Sequence, residues 1–179
     1  MKSIAINLTL FKIGWVAVVS SAAAGMAEVG VATVALVVLI HLLRAERATR
    51  EFRLLILAAL AGLAWESVLV VASVLEYPTT NANLFAPYWI IAMWVLFATT
   101  LNVGMQWLQR NLLLAGVAGA VGGPLSFLAG EKIGAVVIGD GGLWFIAAGW
   151  AVLLPAMAFA ATRLNGYSQP APIVAEEAA

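Results

Sequence analysis

The chain has 179 residues, of which 64% are apolar and only 10% charged, with nine basic and nine acidic side chains and a formal net charge of zero. A soluble domain carries ~25% charged and ~45–50% apolar residues. So few charges cannot coat a water-soluble protein, and disorder requires low hydrophobicity, so both classes are excluded and an integral membrane protein remains. Zero net charge gives no general attraction to nucleic acid.

There is no cysteine, which removes disulfides, thiolate nucleophiles and iron–sulfur ligands, and the lone histidine, His41, leaves no His-pair metal or haem site within one chain. No metal and no cofactor is therefore expected.

Taken in chain order, six apolar segments appear. Lys2, an apolar run over 4–19 and small residues over 20–27 have the outline of a cleavable signal peptide. Lys12 interrupts that run and another apolar segment follows directly, so a retained first helix over 4–24 is expected. The second segment covers 29–43. The densest charge cluster follows, with Arg44, Glu46, Arg47, Arg50, Glu51 and Arg53. The third segment covers 54–75. Pro78, Asn81, Asn83 and Pro87 then suit a loop. The fourth covers 88–108. The fifth starts near 112, contains Gly122, Gly123 and Pro124, and ends either near 130 or past Glu131 at about 138. The sixth covers 142–161 and contains Pro155. A polar tail over 165–179, with Pro170 and Pro172, is expected to be disordered.

A membrane-spanning helix needs about 20 mostly apolar residues, and only helices or closed barrels satisfy their backbone groups inside a bilayer. A barrel would show alternating segments of about ten residues, and these runs are longer and uniformly apolar. The expected fold is all-α, one membrane-embedded bundle of about six helices over 1–164. With the N-terminus in the cytoplasm, Lys2, Arg44, Arg47, Arg50, Arg53, Arg110 and Arg163 lie inside, seven of the nine basic residues. The positive-inside bias therefore places both termini in the cytoplasm.

A few polar residues fall inside these segments. Glu66 lies about midway along the third, where an ionised carboxylate costs about 2.5–3.5 kcal/mol. It is either a proton-handling or ligand-binding group facing the bundle interior or a structural hydrogen-bonding residue. Lys12 is its candidate partner, since opposite charges favour each other's ionised forms; alternatively Lys12 snorkels to the interface. Thr99, Asn102 and Gln106, at i, i+3 and i+7, share one helix face. They are either helix–helix hydrogen-bonding groups or the wall of a polar cavity with Glu66 and Ser126. In the fifth segment Ala115, Gly119, Gly123 and then Ser126, Gly130, Gly134 form small-xxx-small series that permit close helix approach. Glu131 and Lys132 are expected near the outer interface, as a terminal charge pair or the rim of a site. Arg44, Arg47, Arg50 and Arg53 are primarily the orientation signal and secondarily candidates for lipid headgroups. Trp89, Trp107 and Trp144 fit an interfacial aromatic belt, while Trp15, Trp65 and Trp94 lie deeper. No Gly-x-Ser-x-Gly, His-Glu-x-x-His or P-loop motif occurs.

Four blocks carry a family resemblance: Phe11 with Gly14 and Trp15; Glu66 with Ser67; Leu96 to Asn102 with Trp107 and Leu108; and Gly122 to Ala135. Together they resemble a family of uncharacterised small bacterial multi-pass inner-membrane proteins, a domain of unknown function, over roughly 11–163. Lys12 stands where that family more often has an uncharged polar residue. The resemblance implies a multi-pass protein of the bacterial inner membrane and implies no activity.

The expected role is binding or transport of a small or lipid-like ligand around Glu66. The rivals are a membrane enzyme or accessory acting on lipids, disfavoured by the missing nucleophile motifs, and a structural or assembly partner in which polar residues only pack helices. Membrane lipids are the expected partners.

Overall fold

A computed structural model describes residues 2–79 and 85–167. It is all-α apart from one two-residue strand pair. The helices are α1 (Lys2–Ala23), α2 (Ala27–Arg44), α3 (Ala48–Val71), α4 (Tyr88–Leu101), α5 (Leu112–Ile133) and α6 (Gly142–Arg163), with a 3-10 turn over Gln106–Arg110. Strands β1 (Leu75–Glu76) and β2 (Val137–Ile138) pair antiparallel. All helices but α4 are long and apolar enough to cross a membrane. Their outer faces keep large apolar side chains exposed, among them Leu39, Leu60, Leu113 and Val152, as a surface solvated by lipid rather than water requires. The protein is a multi-pass membrane protein.

The expected fourth span is the element that changes most. Its helix has 14 residues, about 21 Å of rise, against a hydrocarbon core of ~30 Å. It stops at Leu101, and the chain continues through a turn into Gln106–Arg110. Side chains help to terminate it: Thr99 and Thr100 hydroxyls donate back to the carbonyls of Leu96 and Phe97, a local competition with regular helix bonding. The i, i+3, i+7 face therefore does not exist beyond Asn102. The third helix begins earlier than expected, inside the charge cluster, so Glu51 is helical and buried. The two readings of the fifth segment resolve to an end at Ile133, where Gly134 adopts a left-handed backbone (φ 87°) that favours glycine. Helix α5 runs unbroken through Gly122, Gly123 and Pro124.

Hydrogen bonds define two ends of the bundle. At one end, β1 meets β2, Thr79 donates to the Ala22 carbonyl, and Tyr88 donates to Glu28. At the other, Asn7 donates to the Thr99 carbonyl, and Asn102 and the Gly166 amide both donate to Glu51. Successive helices therefore alternate in direction, and the 88–110 segment runs the full distance between the ends even though its helix is short. Helices α5 and α6 pack closely through the Ala115, Gly119, Gly123 series, all buried. A Cβ on Gly119 would overlap the Trp150 carbonyl, so the small-residue stripe sets the approach of these two backbones.

Candidate functional site

The bundle encloses a half-open cavity of about 650 Å³ between α1 and α4 on one side and α5 and α6 on the other, within the ~300–1,000 Å³ range of small-molecule sites. Its wall is overwhelmingly apolar and aromatic. Trp94 stacks on Trp150 with ring centroids 4.8 Å apart, and Phe97 meets Trp150 edge-on at 5.3 Å. Glycines make room for these rings: Gly62 faces Trp94 and Gly123 faces Trp150, where a Cβ would collide with the indole. Trp15 bridges from α1 to α5, its ring N–H donating to the Ser126 hydroxyl at 3.3 Å.

Glu66 is part of that wall and is completely buried. It lies five residues before the end of α3, about 7.5 Å along the axis, rather than midway along its helix. Each of its oxygens accepts one hydrogen bond, from the Tyr77 hydroxyl at 2.8 Å and from the Trp94 ring N–H at 2.9 Å. Burial, and then the neighbouring carboxylate, hold the Tyr77 phenol well above its ordinary range, so it remains a donor. Among the described residues Glu66 forms no ion pair with Lys12. Neutral donors meet its needs, as a buried carboxylate requires. Lys12 lines the same cavity but is exposed.

The expected polar centre does not assemble. Ser126 and Lys12 share the cavity with Glu66. Thr99 and Asn102 sit toward the opposite end of the bundle, and Gln106 opens the 3-10 turn. The physical reason is position along α4: it meets Glu66 at Trp94 and runs on toward the Glu51 end, so Thr99 and Asn102, five and eight residues further, lie about 7.5 and 12 Å past Glu66's level. Glu131 accepts from the Ile138 amide at 2.9 Å, holding β2 to the end of α5, and Lys132 is exposed; neither lines the cavity. Arg44, Arg47, Arg50 and Arg53 are all exposed. Trp89, at the start of α4, is 2% exposed and part of the cavity wall, whereas Trp144, 81% exposed, faces outward.

A second buried polar cluster escapes the sequence reading. Glu51, fully buried, accepts from Asn102 Nδ2 at 2.7 Å and the Gly166 amide at 2.6 Å on one oxygen, and meets His41 Nε2 at 2.9 Å on the other. Tyr167 donates to the His41 carbonyl at 2.7 Å. Burial, then the Glu51 carboxylate, push the Tyr167 phenol up to about 12 against an opposing pull from Arg44. The Arg47 amide donates to the Gly166 carbonyl at 3.0 Å. Residues 165–167, the start of the expected tail, thus clamp α2, α3 and α4 together, while 168–179 lie outside the described residues. The signal was present in helical spacing: the buried face of α3 runs Glu51, Leu54, Ala58, Gly62, Glu66, so stepping back from Glu66 by threes and fours reaches Glu51. Among the described residues no group of three or more His, Asp or Glu side chains is arranged to hold a metal ion.

A family model described as Protein of unknown function (DUF2878) matches residues 4–156. The chain belongs to this family. The region matched to DUF2878 contains the whole cavity wall together with His41, Glu51 and Asn102, and stops before Gly166 and Tyr167. The residues that carry the family resemblance converge in space: Phe11, Trp15, Glu66, Trp107 and much of 122–135 face one cavity. No curated protein and no solved structure matches the chain.

Proposed function

We propose that this DUF2878 protein binds a lipid-like ligand in the cavity beside Glu66. The observation that carries the reading is a half-open, aromatic-walled space of about 650 Å³ reaching between α1 and α5 and holding one fully buried carboxylate. A membrane protein gains nothing from leaving such a space empty, since every unfilled wall atom forgoes dispersion contacts. Exposed lining residues on α1 and α5, among them Val16, Gly122 and Leu125, put the opening on the lipid-facing side, where acyl chains enter without crossing water. Glu66 fixes Tyr77 and Trp94 and thereby shapes the wall.

The location that supports this role is the bacterial inner membrane, by the family resemblance, with both termini in the cytoplasm. The orientation draws support from the bundle's two ends: Arg44, Arg47, Arg50, Arg53, Arg110 and Arg163 gather at the Glu51 end, and Glu28, Glu76, Glu131 and Asp140 at the strand end, with Lys132. That asymmetry matches the positive-inside rule.

Gly122 provides the test. It lines the cavity, and a Cβ added there meets nothing within 4 Å, so a large side chain at this position is the variant chosen to obstruct the space. Native mass spectrometry of the protein released from detergent micelles should show a bound lipid mass on the parent chain and loss of that adduct in Gly122→Trp at unchanged folded yield. Equal adducts on both would sink the proposal.

A further inference from the structure

The polar inventory of the cavity wall is one-sided. Glu66 already accepts a hydrogen bond on each oxygen, Tyr77 donates to it, and Ser126 accepts from Trp15. Lys12 is the remaining charged group of the wall, and among the described residues it has neither a hydrogen-bond nor an ion-pair partner. It sits at the middle of α1, ten residues from the start at Lys2, about 15 Å from either end of the helix. An ammonium at that depth is costly without an anion or water, and snorkelling reaches the interface only in part. Among the described residues, Lys12 borders the cavity, which can hold such a partner.

We propose that the ligand is an amphiphile with an anionic headgroup, a carboxylate or phosphate monoester on an acyl chain, whose head pairs with Lys12 at the mouth while the chain occupies the aromatic interior. This rests on the cavity-binding reading above and adds the headgroup chemistry to it. Charge complementarity selects the class. A cationic head would face Lys12 unfavourably and find Glu66 already engaged, and a neutral head would leave the ammonium uncompensated. Carboxylate and phosphate share the needed chemistry, an acceptor-only anion within reach of an ammonium. Lys12 is a specificity feature of this chain, distinct from the Glu66 wall.

The test uses quenching of the cavity tryptophans Trp15, Trp89, Trp94, Trp107 and Trp150 by chain-brominated probes in nanodiscs of unbrominated zwitterionic lipid. The probes are a fatty acid, a lysophosphatidic acid and a fatty alcohol, at a pH where the acid is ionised. The two anions should quench at lower concentration than the alcohol by about tenfold or more, the scale of one charge-assisted hydrogen bond. Lys12→Gln should abolish that preference and Lys12→Arg should keep it. The ratio of fatty acid to lysophosphatidic acid affinity identifies which anion the mouth prefers. Equal quenching by all three probes, or a preference that survives in Lys12→Gln, overturns the headgroup assignment while leaving the cavity reading intact. Quenching by no probe beyond the level seen in Gly122→Leu, an obstructed-cavity control at the same position that adds no tryptophan, overturns both.

Discussion

Removing the Glu51 carboxylate should strongly destabilise the end of the bundle that it organises. The group is fully buried and satisfies three donors at once: Asn102 Nδ2, the Gly166 amide and His41 Nε2, at 2.7, 2.6 and 2.9 Å. Glu51→Ala leaves the Gly166 N–H and the His41 imidazole without this acceptor, and leaves the Asn102 amide with only a long contact to the Leu164 carbonyl at 3.5 Å. An orphaned buried group costs about 1–3 kcal/mol, and three groups lose their shared acceptor here. The combined loss should be about 3–5 kcal/mol after local relaxation. His41→Ala removes only one of the three contacts and should cost about 1–3 kcal/mol. Because both act through the same carboxylate, the double variant should fall short of the sum by about 1 kcal/mol or more. Reversible unfolding in mixed micelles gives all three values. Hydrogen exchange adds a local readout: the Gly166 and Tyr167 amides should lose protection in Glu51→Ala while the middle of α5 keeps its own. A loss below about 1 kcal/mol, or strict additivity with His41→Ala, would refute the claim that Glu51 organises this end of the bundle.

Other outcomes follow from the same geometry. Glu66→Leu removes the acceptor shared by the Tyr77 hydroxyl and the Trp94 ring N–H and should cost about 1–3 kcal/mol or more, whereas Glu66→Gln keeps one acceptor oxygen and should cost less; thermal unfolding with Trp94 emission checks the order. Gly119→Val forces α5 away from the Trp150 carbonyl and should cost about 1–3 kcal/mol by overpacking, while Gly122→Ala, with open space around it, should be neutral in the same assay. Tyr167, raised to about 12 when folded against an unfolded value of 10.0, contributes stability that is complete below about pH 10 and disappears as pH rises toward 12. Tyr167→Phe should flatten that alkaline decline, and melting curves across the window show whether it does.

The membrane class and most helices were legible because a bilayer imposes one long apolar run per crossing, a signal that single residues do not obscure. The second, fifth and sixth helices fall within a few residues of their sequence ranges. The fourth did not, because apolar content is continuous over 88–108 while helical bonding ends at Leu101; composition cannot see hydroxyls of Thr99 and Thr100 turning back on their own carbonyls. Glu66 was legible as a buried carboxylate on depth alone. Its partners were not: Tyr77 lies in what reads as a polar loop, and Trp94 sits on another helix whose rotation no single sequence reveals. Glu51 was hidden by its company. Surrounded by four exposed arginines, it reads as part of a solvated charge run, and only the helical phase of α3 separates it from them. The start of the tail was misleading for a related reason, since Gly166 and Tyr167 are polar in composition yet contribute a backbone amide and a hydroxyl to a buried cluster.

What fills the cavity decides whether this protein binds a lipid-like ligand. An acyl probe with a photoreactive group at the chain terminus, activated in nanodiscs and mapped by peptide mass spectrometry, reads this directly. The label should concentrate on Met93, Phe97 and Phe127, which line the interior, and fall when Gly122→Trp fills the space. Labelling spread evenly over the outer residues Leu36, Leu39 and Leu60, unchanged by Gly122→Trp, would show that the chain touches the protein only as bulk lipid and would contradict the binding site.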